Sequence, residues 1–222
     1  MRAPDRKLIV FIVGSGGRED VLAEKWAQSP YVGEVIVSPG NDWIARKRAY
    51  GKVRVDPHCD LASSDSIADA AARNRADWVD VAQEDAIASG AVDVLQRRGV
   101  RAFGPSKQPA RIEWDKYWQR RFADRHRISV PDWAPFESRD LVPARRHLAA
   151  VYEKDPAHIV WIKAAGLCGG KGARKATSLP QALGRIEEMR SLGQAGEYFL
   201  IEDNIEGVES SHLAMTDGTT FA

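Results

Sequence analysis

Ile162-Lys163-Ala164-Ala165-Gly166-Leu167-Cys168-Gly169-Gly170-Lys171-Gly172 puts a lysine on an apolar strand and follows it with clustered glycines and a second lysine. Glycines free the backbone to fold over a ligand. Ammonium groups on both sides of such a loop suit a polyphosphate. A lysine inside an apolar strand calls for an anionic partner, which argues against a flexible exposed hairpin with solvated lysines. The order strand, lysine, glycine-rich loop, strand describes a hairpin flap, whereas a Walker A loop leads into a helix.

A second anion-binding arrangement is Val13-Gly14-Ser15-Gly16-Gly17-Arg18-Glu19, where a strand turns into a helix N-terminus. Backbone N–H groups and the helix dipole converge there, and Arg18 can add a charge-assisted contact. The third glycine of the dinucleotide fingerprint is absent. Phosphate binding and a plain tight turn both fit the motif taken alone. Phe199–Glu209 is an apolar strand ending in carboxylates. It suits either an adenine and ribose contact or a solvated acidic turn, and the residues alone favour the turn. Arg111, Lys116, Arg120, Arg121, Arg125 and Arg127 accompany Trp114, Tyr117 and Trp118, but Glu113, Asp115 and Asp124 dilute them. An amphipathic surface helix fits that mixture better than an RNA-binding one. The five histidines have no metal-ligand spacing.

Alternating strands and helices must position these motifs. Strands are expected at 8–13, 35–37, 78–82 and 100–103, with helices at 19–28, 64–76 and 87–98, the pattern of a parallel sheet covered on both faces. Beyond residue 108 the pattern becomes mixed α+β. Helices are expected at 111–127, 141–153 and from 178 to about 192, strands at 158–164 and 173–177, and a pair of strands at 198–202 and 211–215 with a turn at 216–218. The chain has 222 residues, 32 Lys+Arg and 31 Asp+Glu. Near-neutral charge gives no reason to expect a nucleic acid or an anionic membrane as partner. Two cysteines, Cys59 and Cys168, make no disulfide framework, so a reducing cytoplasmic setting is expected. The apolar run 8–13 is too short to span a bilayer and leads into Gly14 rather than a cleavage site.

In this order the motifs resemble the phosphoribosylamine–glycine ligase family, ATP-grasp enzymes of purine biosynthesis, over Leu8 to Gly218. Gly14–Glu19 matches the family's GSGGRE, Pro39-Gly40-Asn41 its PGN turn, and Phe103–Lys107 its FGPSK. Lys163–Gly172 matches its KADGLAAGKG, and Ile201–Glu209 its IEEFLDGEE. The resemblance implies an α/β fold: a parallel-sheet pre-ATP-grasp domain over 1–108, then an incomplete ATP-grasp domain over 109–222. That second part would comprise a linker helix at 109–127, a small subdomain at about 128–195 and the first strands of a large subdomain at 196–222.

The resemblance further implies that Lys116 and Lys163 contact ATP phosphates and that Gly169, Gly170, Lys171 and Gly172 form the flap. Glu202, Asp203 and Ile205 would line the adenine pocket and Glu209 would hold the ribose. Gly16, Gly17 and Arg18 are the choices for the substrate phosphate. The implied reaction joins glycine to 5-phosphoribosylamine by way of glycyl phosphate, with ATP and magnesium. Family members are about twice as long, and their metal-ligating Glu and Asn lie beyond the counterpart of residue 222. The chain alone is therefore expected to show little or no ligase activity. Departures fall at Asp20 (His in the family), Ala82-Gln83, Ala165 and Asn204 (Phe in the family). They keep open a ligase of different carboxylate or amine specificity, and a non-catalytic nucleotide-binding module.

Overall fold

The computed structural model describes residues 6–47, 51–212, 214, 216 and 218–220. The chain forms two compact units, one running to Ile128 and including Ala165–Gly169, the other made of Ser129–Ala164 and the residues from Gly170 onward.

The first unit is built on five parallel strands: β1 (Leu8–Gly14), β2 (Val32–Pro39), β3 (Val53–Val55), β4 (Trp78–Val81) and β5 (Arg101–Phe103), in spatial order β3-β2-β1-β4-β5. Helices α1 (Gly17–Gln28), α2 (Asp42–Lys47), α3 (Ser64–Arg73), α4 (Glu84–Ser89) and α5 (Ala91–Arg97) connect them. Strand β1 reads as an unbroken apolar run because helices cover both of its sides. Val10 and Ile12 meet Ala23, Ala27 and Ile44 on one face. Phe11 and Val13 meet Ile67, Ala71, Val92 and Leu95 on the other. Strand order reverses between β1 and β4, so a ligand crevice belongs beyond the carboxyl ends of these two strands.

Two helices expected to be continuous are each split. Gly90 takes φ +92° and divides 87–98 into the C-terminal end of α4 and α5. Asp115 takes an extended conformation and divides 111–127 into α6 (Lys107–Trp114) and α7 (Lys116–His126). Its carboxylate caps α7 by accepting from the Trp118 N–H at 2.9 Å, a use for which aspartate is better suited than for a helix interior. Both helices pack with the first unit, so the compact division lies after Ile128, later than the change in sequence character near residue 108.

Asp56 gives this unit an acid-sensitive anchor. Burial works to raise its pKa, but Asn74 Nδ2 at 2.6 Å, the His58 N–H at 3.0 Å and Arg73 at 3.0 Å outweigh that and hold it below the usual carboxylate range. A lowered folded-state pKa contributes stability above the unfolded value near ~3.9 and loses it as pH falls through the folded value. Asp56→Asn is expected to flatten the acid limb of stability below about pH 4. Denaturant titrations at stepped pH check this, and parallel limbs for variant and wild type would rule it out.

The second unit is an antiparallel sheet of β6 (Trp133–Glu137), β7 (Val160–Ala164), β8 (Ala173–Ala176) and β9 (Tyr198–Asp203), in the order β6-β9-β7-β8. Helices α8 (Val142–Lys154) and α9 (Leu179–Glu188) supply Ala144, Leu148, Ala182 and Ile186 to its core. A 3₁₀ segment, Met189–Gly196, completes the path into β9. The expected partner for β9 was 211–215. Its observed partners are β6 on one side and β7 on the other. Ser211 and His212 lie outside any strand, and Leu213 and Met215 fall outside the described residues. At the expected turn the Gly218 N–H donates to Thr216 Oγ1 at 3.0 Å, while Asp217 is outside the described residues. Strand β6 escapes a sequence reading because Pro135 interrupts it, which an edge strand tolerates.

Candidate functional site

Lys163 sits on β7, directly beside β9. Its Nζ donates to Glu202 Oε2 at 2.6 Å; the Glu202 side chain is 0% exposed and that of Lys163 is 24% exposed. The anionic partner demanded by a lysine in an apolar strand is therefore a carboxylate of the same sheet. An ammonium has three N–H donors, so one bond to Glu202 leaves capacity for a ligand.

Antiparallel register decides what shares this face. Residues directly opposite one another point to the same side. Trp161 lies opposite Glu202 on β9 and opposite Lys175 on β8, and Lys163 lies opposite Ala173. One face of the sheet thus carries Trp161, Lys163, Lys175 and Glu202. The other carries Val160, Ile162, Ile201 and Phe199, all buried. The Lys163 ammonium lies 5.9 Å from the Trp161 ring centroid, and the Trp161 indole N–H donates to Asn204 Oδ1 at 2.9 Å.

Of the acidic segment, Glu202 joins this face. Asp203 alternates to the other side, where His158 Nε2 lies 3.0 Å from its carboxylate. Ile205 and Glu209 are exposed beyond the strand. Asn204 finds a polar partner in Trp161, so the departure from phenylalanine is satisfied locally. Trp161 and Lys175 were not singled out from the sequence, although alternation outward from Lys163 marks Trp161.

In the loop between β7 and β8, Gly169 and Gly170 take φ of +53° and +77°, and a Cβ on either would meet nothing within 4 Å. Their glycine identity thus serves backbone conformation rather than close packing. Lys171 is exposed. The Gly172 carbonyl accepts from the Ala164 N–H at 2.8 Å and closes the hairpin. Lys116 is the first residue of α7, and its N–H donates to the Ala165 carbonyl at 2.9 Å.

The turn after β1 is more committed to its own fold than the sequence suggests. The Gly16 N–H donates to Glu19 Oε2 at 2.6 Å, and Glu19 is buried. Arg18 donates to the Ala82 carbonyl at 2.6 Å and lies 3.6 Å from Glu84, tying the end of β1 to the loop after β4. Asn41 donates to the Ser15 carbonyl at 2.6 Å, and the Gly40 N–H to the Gly14 carbonyl at 3.0 Å. The loops after β1, β2 and β4 are therefore clamped together at the crevice. Of the three residues Gly16, Gly17 and Arg18, the Gly16 N–H and one Arg18 N–H are engaged within the protein. In the same unit Asp80 is buried and accepts from the Trp26 indole at 3.0 Å. Burial raises its pKa, and the charge of Glu19 pushes the same way against the Trp26 bond.

Among the described residues no group of three or more His, Cys, Asp or Glu side chains is placed to hold a metal ion. No helix there is long and apolar enough to cross a membrane.

Comparison with known proteins agrees with this architecture. Residues 8–113 match the model of the phosphoribosylglycinamide synthetase N domain, and residues 114–222 that of the ATP-grasp (A) domain of the same family. A Pseudomonas putida protein named phosphoribosylamine–glycine ligase is 38% identical over 212 residues, covering 94% of this chain and 46% of that one. The crystal structure of phosphoribosylamine–glycine ligase from Thermotoga maritima superposes with a TM-score of 0.68 at 23% identity, over 96% of this chain and 48% of that one. The biotin carboxylase domain of Hydrogenobacter thermophilus 2-oxoglutarate carboxylase, solved with MgADP, ADP and bicarbonate, gives a TM-score of 0.62 at 15% identity, over 90% of this chain and 45% of that one. The chain thus spans about half the length of these relatives. With both family models matched end to end, the chain belongs to the phosphoribosylglycinamide synthetase family.

Proposed function

We propose that this chain serves ATP-dependent ligation of glycine to 5-phosphoribosylamine in the cytoplasm, and that its own contribution is the grip on the nucleotide. The observation that carries this reading is the Lys163–Glu202 pair beside a glycine-rich hairpin. A partly exposed lysine with donors to spare, an exposed Lys175 across the strand and a backbone free to fold over fit a polyphosphate. Lys163 and the glycine-rich loop after it bind and orient the phosphates, and the segment Glu202–Glu209 receives the nucleoside. In such ligations ATP activates the carboxylate and the amine then displaces phosphate. Magnesium, which the family implies, finds no matching ligand set among the described residues, and no step is assigned to it.

At the turn after β1 the Gly16 N–H and one Arg18 N–H are already bonded inside the fold, so fewer donors there face a sugar phosphate. That observation favours, as a second reading, an ATP-grasp ligase acting on another amine. Calorimetric titrations of the chain with ATP and with ribose 5-phosphate, the stable sugar-phosphate part of phosphoribosylamine, separate the readings. Saturable binding of both is expected. Binding of ATP alone moves the assignment to a different amine, and absence of ATP binding removes the nucleotide assignment altogether.

A further inference from the structure

We propose that Trp161 is the platform on which the purine base of the bound nucleotide stacks, and that Asn204 holds it in place. This rests on the nucleotide reading of the Lys163 face. Trp161 and Lys163 are two residues apart on β7 and point to the same side. Their separation along the strand is about 6.6 Å, comparable to the span of one ribose between a base and its first phosphate. A nucleotide whose phosphates reach Lys163 therefore brings its base over the indole.

The ring is prepared for that contact. Its N–H is fixed to Asn204 Oδ1 at 2.9 Å, and Asn204 is itself held by its backbone N–H, which donates to the Ile159 carbonyl at 3.2 Å. A clamped indole loses little rotational freedom when a base settles on it. The ring remains partly exposed, so the sheet's own core does not consume it. The Lys163 ammonium lies over one face of the indole, 5.9 Å from the ring centroid, so the base is assigned to the opposite face. Asn204, polar where the resembled family has phenylalanine, and Trp161 form a single device. The aromatic surface comes from β7, and the residue after β9 fixes its orientation.

The test compares a ligand that has a base with one that has only phosphates. The chain and its variants are titrated with ATP and with inorganic tripolyphosphate. Trp161→Leu is expected to weaken ATP about tenfold, the scale of one base–aromatic stack, and to leave tripolyphosphate within about twofold. Trp161→Phe keeps a smaller ring and is expected to retain most of the ATP affinity. Asn204→Leu keeps the indole but releases it, and is expected to weaken ATP a few-fold with tripolyphosphate unchanged. Unchanged ATP affinity in Trp161→Leu overturns the proposal. Equal loss of both ligands does so too, since it marks a structural role. If the wild type binds tripolyphosphate as tightly as ATP, base stacking falls while the phosphate grip stands. If it binds neither, the nucleotide reading falls and the proposal with it.

Discussion

Lys163→Met is expected to abolish measurable ATP binding and to destabilise the second unit by ~2–3 kcal/mol. Both effects come from one contact. Glu202 is completely buried and faces the ammonium at 2.6 Å. Methionine keeps the stem volume but withdraws the charge, leaving a buried carboxylate without its cationic neighbour. Breaking a fully buried pair costs about 3–5 kcal/mol, and the partial exposure of Lys163 puts this one below that range. The two effects separate in Lys163→Met/Glu202→Gln, where no buried charge is left uncompensated. That double variant is expected to recover most of the stability and none of the ATP affinity. Denaturant melts and calorimetry on the three proteins decide the matter. ATP affinity within about threefold of wild type in the single variant would dismiss Lys163 as a phosphate ligand. A double variant no more stable than the single would dismiss the burial argument.

The same pair shows why part of the site could be read before any coordinates. Lysine in an unbroken apolar strand is rare enough to demand an anion, and the glycine cluster after it states what the backbone must do. What escaped was the identity of the first anion. The residues permit a ligand phosphate or a protein carboxylate, and only the pairing of β7 with β9 brings Glu202 opposite Trp161 and beside Lys163. Register across strands is a long-range property and leaves no trace in a window of neighbouring residues.

For the same reason the partners of β9 do not show in the sequence around it. Its own apolar run was plain. Trp133–Glu137, the edge strand it pairs with, has a proline at its centre and lies far upstream in the chain. Helix breaks failed differently. Asp115 and Gly90 each interrupt an apolar periodicity that continues on both sides, so the pattern suggests one helix where capping makes two. The parallel sheet was legible because each βα unit is local and carries its own turn chemistry. Arg18 marks the limit of motif reading. Its position after the glycines is what an anion site needs, and one of its N–H groups ties the turn to the Ala82 carbonyl at 2.6 Å, a structural use the motif does not reveal.

That turn is also a place in the first unit where a single methyl group is expected to do heavy damage. Gly14 takes φ +137°, a conformation that side chains rarely adopt, and a Cβ there would lie 2.7 Å from both Cγ and Cδ of Glu19. Glu19 has little room to retreat, because it is buried and its Oε2 accepts the Gly16 N–H. Gly14→Ala must therefore strain the backbone and push Glu19 off its cap. Strain of this kind costs about 1–3 kcal/mol, and the lost cap bond adds ~1 kcal/mol. A loss of about 3 kcal/mol is expected in the first unit, read by denaturant unfolding. Glu19→Gln keeps a side-chain oxygen to accept from Gly16, so it is expected to cost only ~1 kcal/mol. The loops after β1, β2 and β4 are tied through Gly14, Ser15 and Arg18. The same variant is therefore expected to lose ribose 5-phosphate binding, the ligand assigned to this crevice. Gly14→Ala with wild-type stability would mean that Glu19 relaxes freely and that the clamp is not rigid. A destabilised variant with undiminished ribose 5-phosphate binding would place the sugar phosphate elsewhere than at the ends of β1 and β4.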